Sequence, residues 1–258
     1  MSSTILSSPG CTRDGVSSVL GAILVFAVLT TLVTSIFIYY LPILKKNAEF
    51  KHENELIDRF LEIVDGYPNC DIALKLGGGE TIFDPIKTSA TLETNVSGHV
   101  SLELFNGTLF FLRRVDLGCV NLTIYNTRIG DVKLVFADGG VVMTDFKRYV
   151  VLEKPNLDVR RSGRFVKIVL YNFTSKPEEL AGNGFGFVRI RANYQTYEFD
   201  NVTDILVNVR DSIFSWNSTL ERAGFVSGSS GWVLSASSLG YGNLSVKLTI
   251  YDVDVELY

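Results

Sequence analysis

The chain has 258 residues, with 24 Lys and Arg against 28 Asp and Glu, for a net charge of -4. That balance excludes a basic nucleic-acid footprint. The length holds one membrane element plus one domain of about 190 residues, or two small domains.

The first element is an uncharged run, Val16 to Leu44, held between Arg13-Asp14-Gly15 and Lys45-Lys46. A removable secretion signal has an apolar run of about 7–15 residues and a small-residue cut site after it. This run is about twice that length and ends "IYYLPILKK", so the spacing predicts a helix that stays in the mature protein. As a helix it measures about 43 Å, against about 30 Å of hydrocarbon. Tyr39 and Tyr40 suit an interfacial belt, with the Lys pair in water beyond. Ser17 and Gly21, and then Ala27, Thr31 and Ser35, recur every four residues and form a small-residue ridge for close helix approach; such residues are also common in any membrane helix.

Residues 45–66 continue the helix in amphipathic form. Phe50, Ile57, Phe60, Leu61 and Val64 make one stripe, Glu55 and Arg59 an i,i+4 pair, and Asp65-Gly66 a stop. Pro42 cannot donate to the carbonyl four residues back, which predicts a bend near Ile38–Pro42.

Residues 67–258 read as one β-domain, giving an α+β protein whose mainly antiparallel, sandwich-like sheet follows a long N-terminal helix. Alternating runs fall at 100–105, 119–125, 132–138, 164–172, 186–194 and 205–209. The stretch 212–223 breaks the pattern as a short helix, with Ser212 as its cap, Ile213, Trp216 and Leu220 buried, and Gly224 ending it. In the final run, Leu244, Val246, Leu248 and Ile250 are in one phase, while Val253, Val255 and Leu257 are in the other. A bulge near Tyr251 is expected to reconcile them.

The opening "DGVSSVLGAILVFAVLTTLVT" resembles the N-terminus of archaeal type IV pilin-like proteins, which share a Gly-Val-Ser-x-Val-x-Gly start. The resemblance implies a prepilin leader at 1–15, cut by a prepilin peptidase between Gly15 and Val16. The helix is then stored in the membrane and packed into a filament core. Asp14 stands where the family commonly has Lys or Arg, with Arg13 one place earlier. The blocks "ADGGVVM", "GNGFGFVRIRA" and "RDSIFSW…LERAG" also look like a family of uncharacterised archaeal secreted pilin-like proteins. The resemblance covers most of the chain and assigns no chemistry.

Two signals disagree about topology. Lys45, Lys46 and Lys51 against Arg13 put the C-terminal side in the cytoplasm. Seven Asn-x-Ser/Thr triplets, at Asn95, Asn106, Asn121, Asn172, Asn201, Asn217 and Asn243, put it outside as a glycosylated ectodomain. The pilin-like leader implies the same, and the ectodomain reading is adopted. Loss of Cys11 with the leader leaves Cys70 and Cys119. They either close a loop of about 50 residues, adding roughly 4 kcal/mol, or stand as two separate buried thiols.

Catalytic patterns are lacking. His52 and His99 are the only histidines, and no zinc, nucleophile-elbow or Walker motif occurs. The Gly-rich stretches 77–80 and 182–186 read as turns. Asp252, Asp254 and Glu256 on one strand face read as a solvated acidic edge ahead of a calcium site. The expectation is a non-enzyme without cofactor or metal: a single-pass membrane protein that is either a self-associating pilin-like filament subunit or a cell-surface domain that binds an envelope partner without polymerising.

Overall fold

The computed structural model describes residues 13–78, 88–145, 148–182 and 184–258. Most of the leader expected at 1–15 lies outside them, as do parts of the 77–80 and 182–186 stretches.

The N-terminal rod is helical from α1 (Arg13–Ser35) through a π-helical stretch (Ile36–Tyr40) into α2 (Leu41–Gly66). The break expected at Ile38–Pro42 takes the form of that π stretch. Leu41 N–H donates to the Ile36 carbonyl, five residues back, and Pro42 then occupies the first turn of α2. The imide nitrogen thus falls where the helix restarts and no interior donor is lost.

One face of α2 is buried: Glu49, His52, Leu56, Phe60 and Ile63. The expected stripe is therefore corrected by about one position. Phe60 is in the core and Ile57, Leu61 and Val64 flank it, but Phe50 is 58% exposed. Apolar periodicity could not see the shift, because two of the buried residues are polar. Arg59 pairs with Glu62 (2.8 Å) and Lys51 with Glu55 (3.7 Å), in place of the expected Glu55–Arg59 pair.

Among the described residues the β-domain has two sheets. The first runs, in spatial order, β1 (Cys70–Lys75), β10 (Phe185–Val202), β14 (Leu244–Leu257), β8 (Phe165–Phe173) and β7 (Val159–Ser162). Its pairings are antiparallel except β14 with β8. The second runs β12 (Val226–Gly228), β13 (Gly231–Ser235), β11 (Asp204–Arg210), β2 (Ser89–Asn106), β3 (Thr108–Tyr125), β4 (Val132–Ala137), β5 (Gly140–Thr144) and β6 (Tyr149–Glu153). A further strand, β9 (Glu178–Gly182), pairs with the first part of β2. Every alternating run read from the sequence lies within one of these strands, apart from a terminal residue.

The short helix α3 (Asn217–Ala223) forms, buries Leu220, and ends at Gly224 in the left-handed region (φ 93°). Trp216 is buried and Ile213 partly so. Ser212 does not cap it: its hydroxyl donates to the Phe214 carbonyl (2.9 Å) and to Asp138 (3.3 Å).

Two large cores result. One is far from α2 and holds Leu102 and Leu104 of β2, Ile168 of β8, Leu220 of α3, and Val246, Leu248 and Ile250 of β14. The other joins Leu56, Phe60 and Ile63 of α2 to Leu92 of β2, Leu122 of β3, Ile190 of β10, and Val253 and Val255 of β14. Because side chains alternate, the two cores lie on opposite faces of β14. No bulge accompanies the change. β14 pairs without slip with β8 from Ser245↔Phe165 to Val253↔Phe173, and with β10 from Val246↔Phe199 to Leu257↔Val188. The expected bulge near Tyr251 is thus replaced by a sheet that uses both faces. At the crossover, Tyr194, Tyr251 and Tyr171 are cross-strand neighbours with ring centroids 5.5 and 5.2 Å apart, and Tyr67 closes the row 4.9 Å from Tyr171. Tyr67, Tyr171 and Tyr251 pack against the α2-side core, so this row of rings forms its margin at the crossover.

Candidate membrane anchor and its junction with the domain

Between Val19 and Tyr40 every described side chain of the rod is exposed. One helix, Val19–Gly66, has an apolar window long enough to cross a membrane, with none of that window buried inside the protein. Three of its hydroxyls are satisfied internally. Thr30 donates to the Phe26 carbonyl, Thr31 to Ala27 and Ser35 to Thr31, each at 2.8 Å, which lets hydroxyls sit in hydrocarbon without an unmet donor. Ala27, Thr31 and Ser35 therefore form a shallow ridge. Gly21 has open space where a Cβ would be; the side chain of Ser17 lies outside the described residues. Gly15 and Val16 sit in the first turn of α1.

The rod is joined to the domain by two carboxylates, one buried and one half-buried. Glu49, 5% exposed, accepts from the Arg128 backbone N–H (3.0 Å) and from the Thr127 hydroxyl. Glu53 accepts from the Asn126 amide (2.6 Å), which also donates to the Gly130 carbonyl (2.9 Å). Burial pushes the Glu53 carboxyl above its usual range, the Asn126 hydrogen bond pulls against this, and Glu49 one turn earlier adds to the rise. His52, 4% exposed, packs on Gly78, where a Cβ would lie 2.3 Å from Nδ1. Burial, and then Lys75, lower its pKa, with Glu55 pulling the other way. Neither the carboxylates nor this histidine was singled out from the sequence. The only sequence signal is that they recur at helical spacing between the residues that pack.

Among the described residues, Cys70 and Cys119 are free thiols. In the structure they stand apart as separate thiols, the second of the two arrangements read from the sequence. Cys70 packs at the margin of the α2-side core. Cys119 follows the opposite parity to Val120 and joins Ala137, Val142 and Phe214 in a small separate cluster. The thiols thus point to different sides of the second sheet. Burial raises both, Cys70 to about 11, so neither is a ready thiolate.

The seven sequon asparagines are not equivalent. Asn106, Asn201 and Asn217 are exposed, and Asn95 and Asn243 are half-buried. Asn121 is only 6% exposed. Asn172 is engaged at both amide atoms, accepting from Asp116 N–H (3.1 Å) and donating to Asp252 (2.8 Å). Three of them gather at the end of the domain away from α2. Gly107 N–H, beside Asn106, donates to Thr203 (3.2 Å), and Asn243 donates to Asn201 (2.8 Å). Along β2 this end is about 45 Å from Leu92, where α2 packs.

The acidic residues of β14 lie on a strand between β10 and β8 and not on the expected edge, and they are tied into the protein. Asp252 accepts from Asn172, Asp254 from Ser175 (2.9 Å), and Glu256 lies 3.6 Å from Arg189. Among the described residues no group of three or more His, Cys, Asp and Glu is placed to hold a metal.

A family described as DUF7289, of unknown function, matches residues 14–256, which spans α1 to the end of β14. The chain belongs to that family. No curated protein and no solved structure matches it. The match treats the rod and the domain as one unit, in keeping with the carboxylate clamp that joins them in this DUF7289 member.

Proposed function

We propose that this DUF7289 protein is a pilin-like subunit, major or minor, of an archaeal type IV pilus-like surface filament. On this reading α1 is a membrane anchor before assembly and a filament core after it, and the β-domain is extracellular. The observation that carries the reading is the rod itself. Its first half is apolar on every side and packs on nothing, while its second half is clamped to the domain. Pulling such a helix from lipid gains nothing unless other copies cover it. In a filament, equivalent helices would bury that surface, at about 25 cal/mol per Å² of apolar area. A prepilin peptidase acting after Gly15 would release Val16 as the N-terminus, and the sequons support an outer location.

A second reading, a singly anchored surface domain that binds an envelope partner without polymerising, is favoured by Asp14 at the position before the cleavage glycine. One experiment separates the two. N-terminal sequencing of the protein purified from its own cells is expected to begin at Val16, with filaments visible by electron microscopy. Retention of residues 1–15 together with an absence of filaments supports the anchored domain.

A further inference from the structure

Beside the Asn201–Asn243 pair, on the outer face of the first sheet, lies an open groove of about 540 Å³, a volume typical of ligand sites. Phe165 lines it, 58% exposed, with the Arg164 guanidinium 5.3 Å from its ring centroid. Around the ring stand paired polar groups. Ser245 donates to Asp200 (2.9 Å) and Lys247 to Glu198 (3.0 Å), while Lys167 of β8 lines the groove with its ammonium held by Asp158 (2.7 Å). An exposed aromatic face ringed by hydrogen-bonding side chains fits the chemistry of a saccharide, which has apolar C–H faces and hydroxyl edges.

The groove also begins at a sequon. Asp200 precedes Asn201, and Ser245 is the third residue of the Asn243 triplet. The register shift between Phe199 and Val202, both facing the core, leaves Asp200 and Asn201 on the outer side. Asn201 is exposed with φ 61°, a conformation Asn tolerates, and the Asn243 amide holds its Oδ1 at 2.8 Å, leaving Nδ2 for substitution.

We propose that Asn201 carries an N-linked glycan that lies along this groove with a sugar ring on Phe165. The inference rests on the extracellular placement of the domain. The bond formed joins Nδ2 to the anomeric carbon of the first sugar. The bond broken is that carbon's link to the phosphate of a lipid-phosphate-linked oligosaccharide. The lipid phosphate leaves with the bonding pair and takes up the equivalent of the proton Nδ2 gives up, with no change of oxidation state.

The test uses the full-length protein purified from its own cells. Glycopeptide mass spectrometry is expected to find Asn201 occupied and Asn121 and Asn172 bare. Asn201→Asp keeps the left-handed backbone and the acceptor for Asn243 but cannot be glycosylated. It and Phe165→Ala are each expected to lower the thermal midpoint by about 2–4 °C, and the double variant to fall no further than either single one. A bare Asn201 overturns the proposal, and so do additive losses, which would mean that Phe165 serves something other than this glycan. Protease treatment of intact cells and electron microscopy separate this failure from that of the functional reading. A domain cleaved from outside, or filaments, together with a bare Asn201, defeats the glycan alone. A protected domain with every sequon bare defeats the extracellular placement as well.

Discussion

The Glu49 carboxylate on α2 accepts the backbone N–H of Arg128 in the β3–β4 loop at 3.0 Å. It also receives the Thr127 hydroxyl, so one buried side chain ties the rod to a loop nearly eighty residues away. Glu49→Ala removes the acceptor of that N–H and hydroxyl; Thr127 and Arg128 are exposed, so water replaces it in part and the cost is about 0.5–1.5 kcal/mol. The expected outcome is a lower thermal midpoint and faster proteolysis between α2 and β1, with far-UV circular dichroism unchanged. An unchanged cleavage rate would show that the apolar contacts of Leu56, Phe60 and Ile63 suffice for docking.

Asp138 makes the domain sensitive to pH. It sits at the β4–β5 turn with φ 50° and is buried, and burial pushes its carboxyl up to about 6, against the Ser212 hydroxyl and the Trp216 side chain, which favour the ionised form. The ordinary value is about 4. Between these values the folded state binds more protons than the unfolded state, so this group's contribution to stability falls as pH rises from about 4 through about 6. Asp138→Asn keeps a residue that tolerates positive φ and removes the charge. Denaturation midpoints at pH 5 and pH 8 are expected to draw closer together in the variant, with the larger gain at pH 8.

Gly118 allows β3 to meet β8. A Cβ there would lie 2.0 Å from the Phe173 ring, which is itself buried. Gly118→Ala is expected to cost about 1–3 kcal/mol through overpacking, read as an earlier urea midpoint. Adding Phe173→Ala, which removes the two nearest atoms, Cδ2 and Cγ, should cost less in the Gly118→Ala background than in the wild type, a coupling measurable as a double-mutant cycle.

Thr31 tests the proposed assembly surface. Its hydroxyl is spent within the helix on the Ala27 carbonyl, so Thr31→Leu breaks no contact with the domain and leaves the helix insertable. Filling the ridge should prevent close approach of helices. The expected result is a normal amount of membrane-held protein with few or no filaments by electron microscopy. Filaments at the wild-type level would place the packing face elsewhere on α1.

Local pattern made much of this protein legible before its structure. The apolar run from Val16 to Leu44 declared a rod because no charge interrupts it, and Pro42 marked where the hydrogen-bond ladder changes. Alternation located the principal strands, and Gly224 located the end of α3. These features depend on the neighbours of each residue along the chain. Tertiary structure decided what depends on distant partners. Periodicity rotated the packed face of α2 wrongly because Glu49 is buried by Thr127 and Arg128, and His52 by Gly78, contacts no local window contains. The phase change in β14 reads as a bulge in one strand, but β8, β10 and β14 cross together and use both faces of the sheet. Cys70 and Cys119 look like a pair by count and point to different sides of a sheet. The seven sequons look alike as triplets, yet packing buries Asn121, engages Asn172 and brings Asn201 to Asn243. A sequence motif states what a residue can do; whether its side chain meets solvent or another segment is set by the long-range packing of the strands.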